Sequence, residues 1–310
     1  MKWNSLRREV FSKCGNRSLS TDGLAKGQKL YDFLVRDLVR VDELDLVLVK
    51  LTHEPTNAAH FHVIRDDPNN VFCVAFKTPP QDSTGVPHIL EHVTLCGSKK
   101  YPVRDPFFKM LNRSLASYMN AWTASEHTAY PFCTANHQDY AHLRDVYCDA
   151  VFNPNLSEFD FLQEGWRLEH ENPSDRTSPI TFKGVVYNEM KGAFSDVESL
   201  FSQRLQQSLF KGSIYGHVSG GDPPYITNLT HENLKDFHRK HYNPSNALFY
   251  TYGDYPLESN LKYLSERLKP YTKSKSVSVA VSVPDSISWP RIIETKCPLD
   301  PRTIQTNYCS

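Results

Sequence analysis

The chain has 310 residues with 35 basic and 35 acidic side chains, so it lacks the charge excess that nucleic acid or an anionic membrane surface selects. No apolar run approaches the length of a bilayer span, which points to a soluble protein with neither membrane nor nucleic acid as partner. Seven cysteines leave one over and include no Cys-x-x-Cys pair, a pattern of reduced thiols in an intracellular compartment rather than of a disulfide framework.

In chain order, the first twenty residues stand apart. Lys2, Arg7, Arg8, Lys13 and Arg17 face a single acid, Glu9, and Trp3, Leu6, Val10 and Phe11 form an apolar stripe if helical. That is the composition of a mitochondrial transit peptide, with a disordered terminus as the plainer alternative, and residues 1–27 are set aside on this basis. Strand patterns follow at Leu44–Leu51, Ala59–Ile64 and Val71–Phe76. Asp66-Asp67-Pro68-Asn69-Asn70 reads as a tight turn joining the last two into a hairpin. A helix is expected around residues 87–92, a short one near Phe107–Leu115, and two strands around Tyr118–Phe132.

Helical spacing then dominates. Asp139–Phe152 and Glu158–Leu168 carry apolar residues three and four apart, with Pro154 as a break. A helix through Glu189 is expected to run on towards Leu209, before a loop marked by Gly212, Gly216, Gly220 and Gly221. Thr230 is placed to cap a helix over His231–His241, followed by a strand at Ala247–Tyr252 and a helix at Leu257–Leu268. Strands and helices interleaved without strict alternation indicate an α+β domain over residues 28–269. Residues 270–310 read as a Ser-, Val-, Lys- and Pro-containing linker and the start of a second domain. Cys73, Cys133 and Cys148 read as small core residues.

The most informative stretch is His88-Ile89-Leu90-Glu91-His92. On a helix, His88 and His92 project from one face a turn apart, with Glu91 beside them. Two neutral imidazoles so placed can share one zinc ion, and the carboxylate can take a proton from water at the open position. This is the inverted zincin motif; a solvated polar face is the bland alternative. Pro87 favours the first turn of a helix, and Asp82, Ser83 and Thr84 offer capping oxygens. The best third ligand is Glu189, on a segment where Glu189, Asp196 and Gln203 recur at seven-residue intervals as an acidic stripe. A plain surface carboxylate is its alternative. The pairs His60/His62 and His238/His241 read as structural or solvated, and Ser219-Gly220-Gly221-Asp222-Pro223 as a structural loop without the lysine of a phosphate loop.

The motif with its flanks, Asp82 to Ser98, together with Arg104 to Ser114, Glu164 to Glu171, Tyr187-Asn188-Glu189-Met190-Lys191-Gly192 and Ser219 to Pro223, resembles the presequence-degrading members of the pitrilysin-like inverzincin family over roughly residues 28–290. The resemblance implies an α+β fold with a mixed, largely antiparallel sheet flanked by helices. It implies one Zn2+ per chain on His88, His92 and Glu189, with Glu91 as general base. Asn120 and Ala121 match a strand that pairs with substrate backbone, a mode suited to broad peptide recognition. Leu95, Phe107, Phe108 and Leu111 match an apolar primed-side pocket, although stripes at helical spacing are more often core. The implied activity is endoproteolysis of short unstructured peptides, such as cleaved presequences, in the mitochondrial matrix. Family members are several times longer, so the chain reads as an N-terminal portion lacking a C-terminal half, and its activity alone is expected to be low. A non-catalytic peptide-binding or structural role is the rival reading.

Overall fold

The computed structural model describes residues 24–274. Of the expected leader over residues 1–27 and the expected linker and second-domain start over residues 270–310, residues 1–23 and 275–310 lie outside the described residues.

The strands are β1 (Lys29–Leu30), β2 (Phe33–Val41), β3 (Leu46–His53), β4 (Ala59–Ile64), β5 (Asn70–Lys77), β6 (Ala116–Met119), β7 (Trp122–Thr123), β8 (His127–Thr134), β9 (Arg167–His170), β10 (Ile180–Lys183) and β11 (Ala247–Gly253). The helices are α1 (Val86–Thr94), α2 (Pro106–Leu111), α3 (His137–Phe152), α4 (Glu158–Glu164), α5 (Val185–Ala193), α6 (Val197–Leu209), α7 (Pro223–Ile226), α8 (His231–His241) and α9 (Leu257–Leu268). A nine-stranded sheet runs β1-β2-β3-β4-β11-β5-β8-β6, with β7 also paired to β8; β9 and β10 form a separate two-stranded ribbon. Every pairing is antiparallel except that of β11 with β4. The α+β class and the mixed, largely antiparallel sheet agree with the sequence reading.

Alternation explains how the sheet is covered. In β3, β5 and β11 every second residue is buried, because successive side chains point to opposite faces. Val49, Leu51, Phe72, Val74, Phe76 and Phe249 join Tyr140, Leu143, Tyr147 and Val151 of α3 and Ile89, Leu90 and Val93 of α1 in one apolar core.

The expected hairpin of β4 and β5 does not form. β11 lies between them, parallel to β4 and antiparallel to β5, and the Asp66–Asn70 segment spans that inserted strand. Asp67 still organises the turn, its Oδ1 accepting from Asn69 N at 2.9 Å, but a local turn signal carries no information about a strand far along the chain. Two further expectations change at their ends. The helix from Glu158 stops at Glu164, and Arg167–His170 is strand. The helix through Glu189 breaks after Ala193; Asp196 starts a new one by accepting from Ser199 N at 2.8 Å, the ordinary behaviour of an N-cap aspartate.

Candidate metal centre and active site

α1 buries Val86, Pro87, Ile89, Leu90, Glu91, Val93 and Thr94, leaving His88 and His92 as its two partly open positions. Its start differs from expectation. Gly85 occupies the N-cap in the left-handed region at φ 71°, and no side chain caps the helix. Asp82 instead closes its own turn on Thr84, while the backbone carbonyl and hydroxyl of Ser83 accept from Asp222 N at 2.9 Å and Val218 N at 3.2 Å. A Cβ on Gly85 would lie 2.6 Å from Gly221 Cα and 2.8 Å from Gly220 O. Glycine is therefore required by both the turn and the close approach of the 218–222 loop.

That loop has a use. Its Gly220 carbonyl lies 3.0 Å from His88 Nδ1, while His92 Nδ1 lies 3.1 Å from Oε2 of Glu164 on α4. Both acceptors call for the proton on Nδ1, which leaves Nε2 of each ring with a free lone pair. The ring centroids are 5.0 Å apart. His88 Nε2 is 3.7 Å from Glu189 Oε1 and His92 Nε2 is 3.8 Å from Glu189 Oε2. One donor atom from each of the three residues lies within 4.8 Å of the other two, wider than the roughly 3.4 Å spacing of ligands around a tetrahedral zinc, so a small inward movement would complete the site. The donor set, two imidazole nitrogens and a carboxylate, fits that ion.

Glu91 stays out of this cluster. Its Oε2 accepts from Thr123 Oγ1 of β7 at 2.6 Å. Burial pushes its carboxyl above the usual carboxylate range, against the pull of Thr123 and the two imidazoles. For His92, burial opposes the charged form, but the bond to Glu164 and the surrounding carboxylates outweigh it and hold its pKa up. Glu164 shows the complement: burial works against its charge, and the bonds from His92 and Gln163 bring its pKa below the usual value.

Glu189 reaches the histidines because α5 begins in backbone contact with the end of α4. A Cβ on Gly184 would stand 2.0 Å from Gly165 O and 2.9 Å from Trp166 Cα. Only glycine permits that crossing. The seven-residue acidic stripe dissolves: Asp196 caps α6, Gln203 lies on α6, and only Glu189 of the three joins the metal-competent cluster among the described residues.

Comparison with known proteins gives the family. The family profile described as Insulinase (Peptidase family M16) matches residues 78–173, and that described as Peptidase M16 inactive domain matches residues 228–307. Proteins named "Presequence protease, mitochondrial" are 54% identical over 273 residues in Danio rerio, 53% over 289 in Schizosaccharomyces pombe and 53% over 282 in Mus musculus. The chain belongs to the pitrilysin-like peptidase family M16. These matches take in 87%, 93% and 90% of this chain but 26%, 29% and 27% of the relatives, so the chain spans about a quarter of their length. Among solved structures, pitrilysin superposes with a TM-score of 0.58 at 18% identity, covering 82% of this chain and 26% of pitrilysin. A Helicobacter pylori protease gives 0.58 at 18%, covering 75% and 52%. Both show the shared fold.

The remaining site positions of this M16 chain divide. Leu95 and Phe107 pack against the core, whereas Phe108 and Leu111 are exposed at 63% and 48%. Asn120 and Ala121 sit at the break between β6 and β7 along the β8 edge, with Asn120 N donating to Pro131 O at 3.1 Å. The adjoining Thr123 brings this edge onto Glu91. His60 and His62 both meet Thr251 Oγ1, at 2.8 and 2.7 Å, while His238 and His241 bond the carbonyls of Val151 and Lys77. These four imidazoles are structural. Cys73, Cys96, Cys133 and Cys148 are free thiols. Sequence reasoning missed the contacts of Gly220, Glu164 and Thr123 to the motif: each is remote in sequence, and no local periodicity marks a residue that touches the motif from another element.

Proposed function

We propose that this chain carries the catalytic centre of a zinc-dependent endopeptidase, with one zinc per chain held by His88, His92 and Glu189. The observation that carries the reading is the convergence of His88 Nε2, His92 Nε2 and a Glu189 oxygen within one 4.8 Å cluster, with a buried, hydrogen-bonded Glu91 beside it. When bound, zinc supplies a Lewis acid that acidifies water and polarises a carbonyl. The chain's own residues do the rest. Glu91, its Oε2 engaged by Thr123, keeps Oε1 to take the proton of the attacking water and return it to the leaving amine. A carboxyl whose burial raises its pKa is suited to both transfers.

Asn120 and Ala121 lie on a sheet edge where an extended peptide adds through main-chain bonds, so the substrates are short unfolded peptides read with little sequence preference. Leu95, Phe107, Phe108 and Leu111 form the apolar primed-side surface. Residues 28–269 constitute the catalytic domain. The names of the relatives and the basic, acid-poor first twenty residues support action on presequence-like peptides in the mitochondrial matrix.

The test compares zinc content with cleavage of a fluorogenic peptide, for the chain alone and for the chain fused to the C-terminal remainder of a relative. Both forms should hold one zinc; the fusion should cleave. Glu91→Gln should keep the metal and lose about 10²–10⁴ in rate, whereas His88→Ala should lose metal and cleavage together. A fusion that binds zinc and peptide without cleaving would favour the non-catalytic role, and an active Glu91→Gln enzyme would refute the mechanism.

A further inference from the structure

We propose that Glu164 is the positioning residue of the metal site: it fixes the ring and proton of His92 so that Nε2 is offered to the ion. The inference rests on the zinc reading and extends it to a residue that is not itself a ligand.

Glu164 ends α4 and is only 9% exposed. A carboxylate taken that far from water needs partners for its oxygens. It has two: Oε2 meets His92 Nδ1 at 3.1 Å and Oε1 accepts from Gln163 Nε2 at 2.8 Å. Gln163 is in turn held by the Arg104 guanidinium. The carboxylate cannot swing away without breaking both bonds.

A carboxylate accepts and does not donate, so Nδ1 must carry the proton and Nε2 the lone pair. His88 receives the same instruction from a neutral carbonyl, Gly220. His92 receives it from a charge, which both fixes the tautomer and makes the ring a stronger donor to a metal. The next residue, Gly165, is the point at which α4 meets Gly184 at the start of α5. One junction therefore sets the group that orients His92 and the helix that presents Glu189.

The experiment uses the 310-residue chain as wild type, Glu164→Ala and the isosteric Glu164→Gln. Zinc affinity is read by chelator competition, and the His92 tautomer by imidazole nitrogen shifts in metal-free protein at a pH where the ring is neutral. Thermal melting checks that each variant is folded. Glu164→Ala should weaken zinc about 10- to 100-fold and leave His92 a mixture of tautomers. Glu164→Gln keeps an acceptor for Nδ1–H, so it should restore the tautomer and hold the loss to about tenfold or less. Folded Glu164→Ala that binds zinc as tightly as wild type with an unchanged tautomer would overturn the proposal. Wild type that takes up no zinc would defeat the zinc reading instead; the tautomer comparison would then still uphold or overturn the hold of Glu164 on His92.

Discussion

α1 and α6 are both amphipathic in sequence, yet they are held in opposite ways. Seven of the nine residues of α1 are buried. None of the thirteen in α6 is, and Val197, Phe201 and Leu205 lie along one of its faces at 52%, 52% and 46% exposure. Four-residue spacing tells which side chains share a face and nothing about what covers that face. α5, between them in sequence, buries Val186 alone. The candidate centre thus joins two imidazoles anchored in the core to a carboxylate on a helix located by a backbone crossing.

The sharpest break in this comparison is energetic. Leu90 is fully buried, and Leu90→Ala should cost about 2–5 kcal/mol in urea unfolding. Phe201→Ser on α6 should change stability by no more than about 0.5 kcal/mol. Equal losses would mean that α6 is anchored as firmly as α1.

Gly184→Ala probes the crossing itself. Its Cβ would meet Gly165 O at 2.0 Å, so α5 must shift and carry Glu189 away from the histidines. Zinc affinity should fall about a hundredfold, near 2.7 kcal/mol, measured by chelator competition, while melting drops far less than in Leu90→Ala. A variant that keeps native affinity would show that Glu189 does not depend on this junction.

A smaller effect concerns pH and belongs to the core side alone. Burial pushes His60 and His62 down to about 3 and about 4 from the ordinary 6.5. Below about pH 6.5 the unfolded chain takes up protons that the folded chain refuses, so this contribution is complete above about pH 6.5 and is lost as pH falls through about 4 towards about 3. The melting temperature should decline over that window, with a shallower decline in His60→Phe. An identical slope in the variant would remove these imidazoles as the cause.

Much of the architecture was legible where the signal is local. The α8 and α9 boundaries follow from Thr230 capping Asn233 and from apolar spacing over Leu257–Leu268. β2 was missed because a register shift between Val35 and Asp37 interrupts its alternation. The ribbon of β9 and β10 was missed because Glu158–Leu168 reads as one helix until Gly165 ends it. The β4–β5 hairpin was read from a genuine turn, but pairing partners are chosen by the whole sheet.

The sequence by itself determined that His88, Glu91 and His92 share the side of one short helix, because the helical repeat is a property of the backbone and Pro87 favours a first turn just before them, whereas the cap expected from Asp82, Ser83 or Thr84 is taken by Gly85. It also marked Glu189 as the carboxylate to consider. Only the tertiary structure decided that Glu189 reaches the histidines, that Gly220 and Glu164 set their protons, and that Thr123 holds Glu91. Those contacts join residues remote along the chain, and they arise from close approach at Gly85–Gly221 and Gly165–Gly184, where the absence of a side chain matters only once two backbones meet.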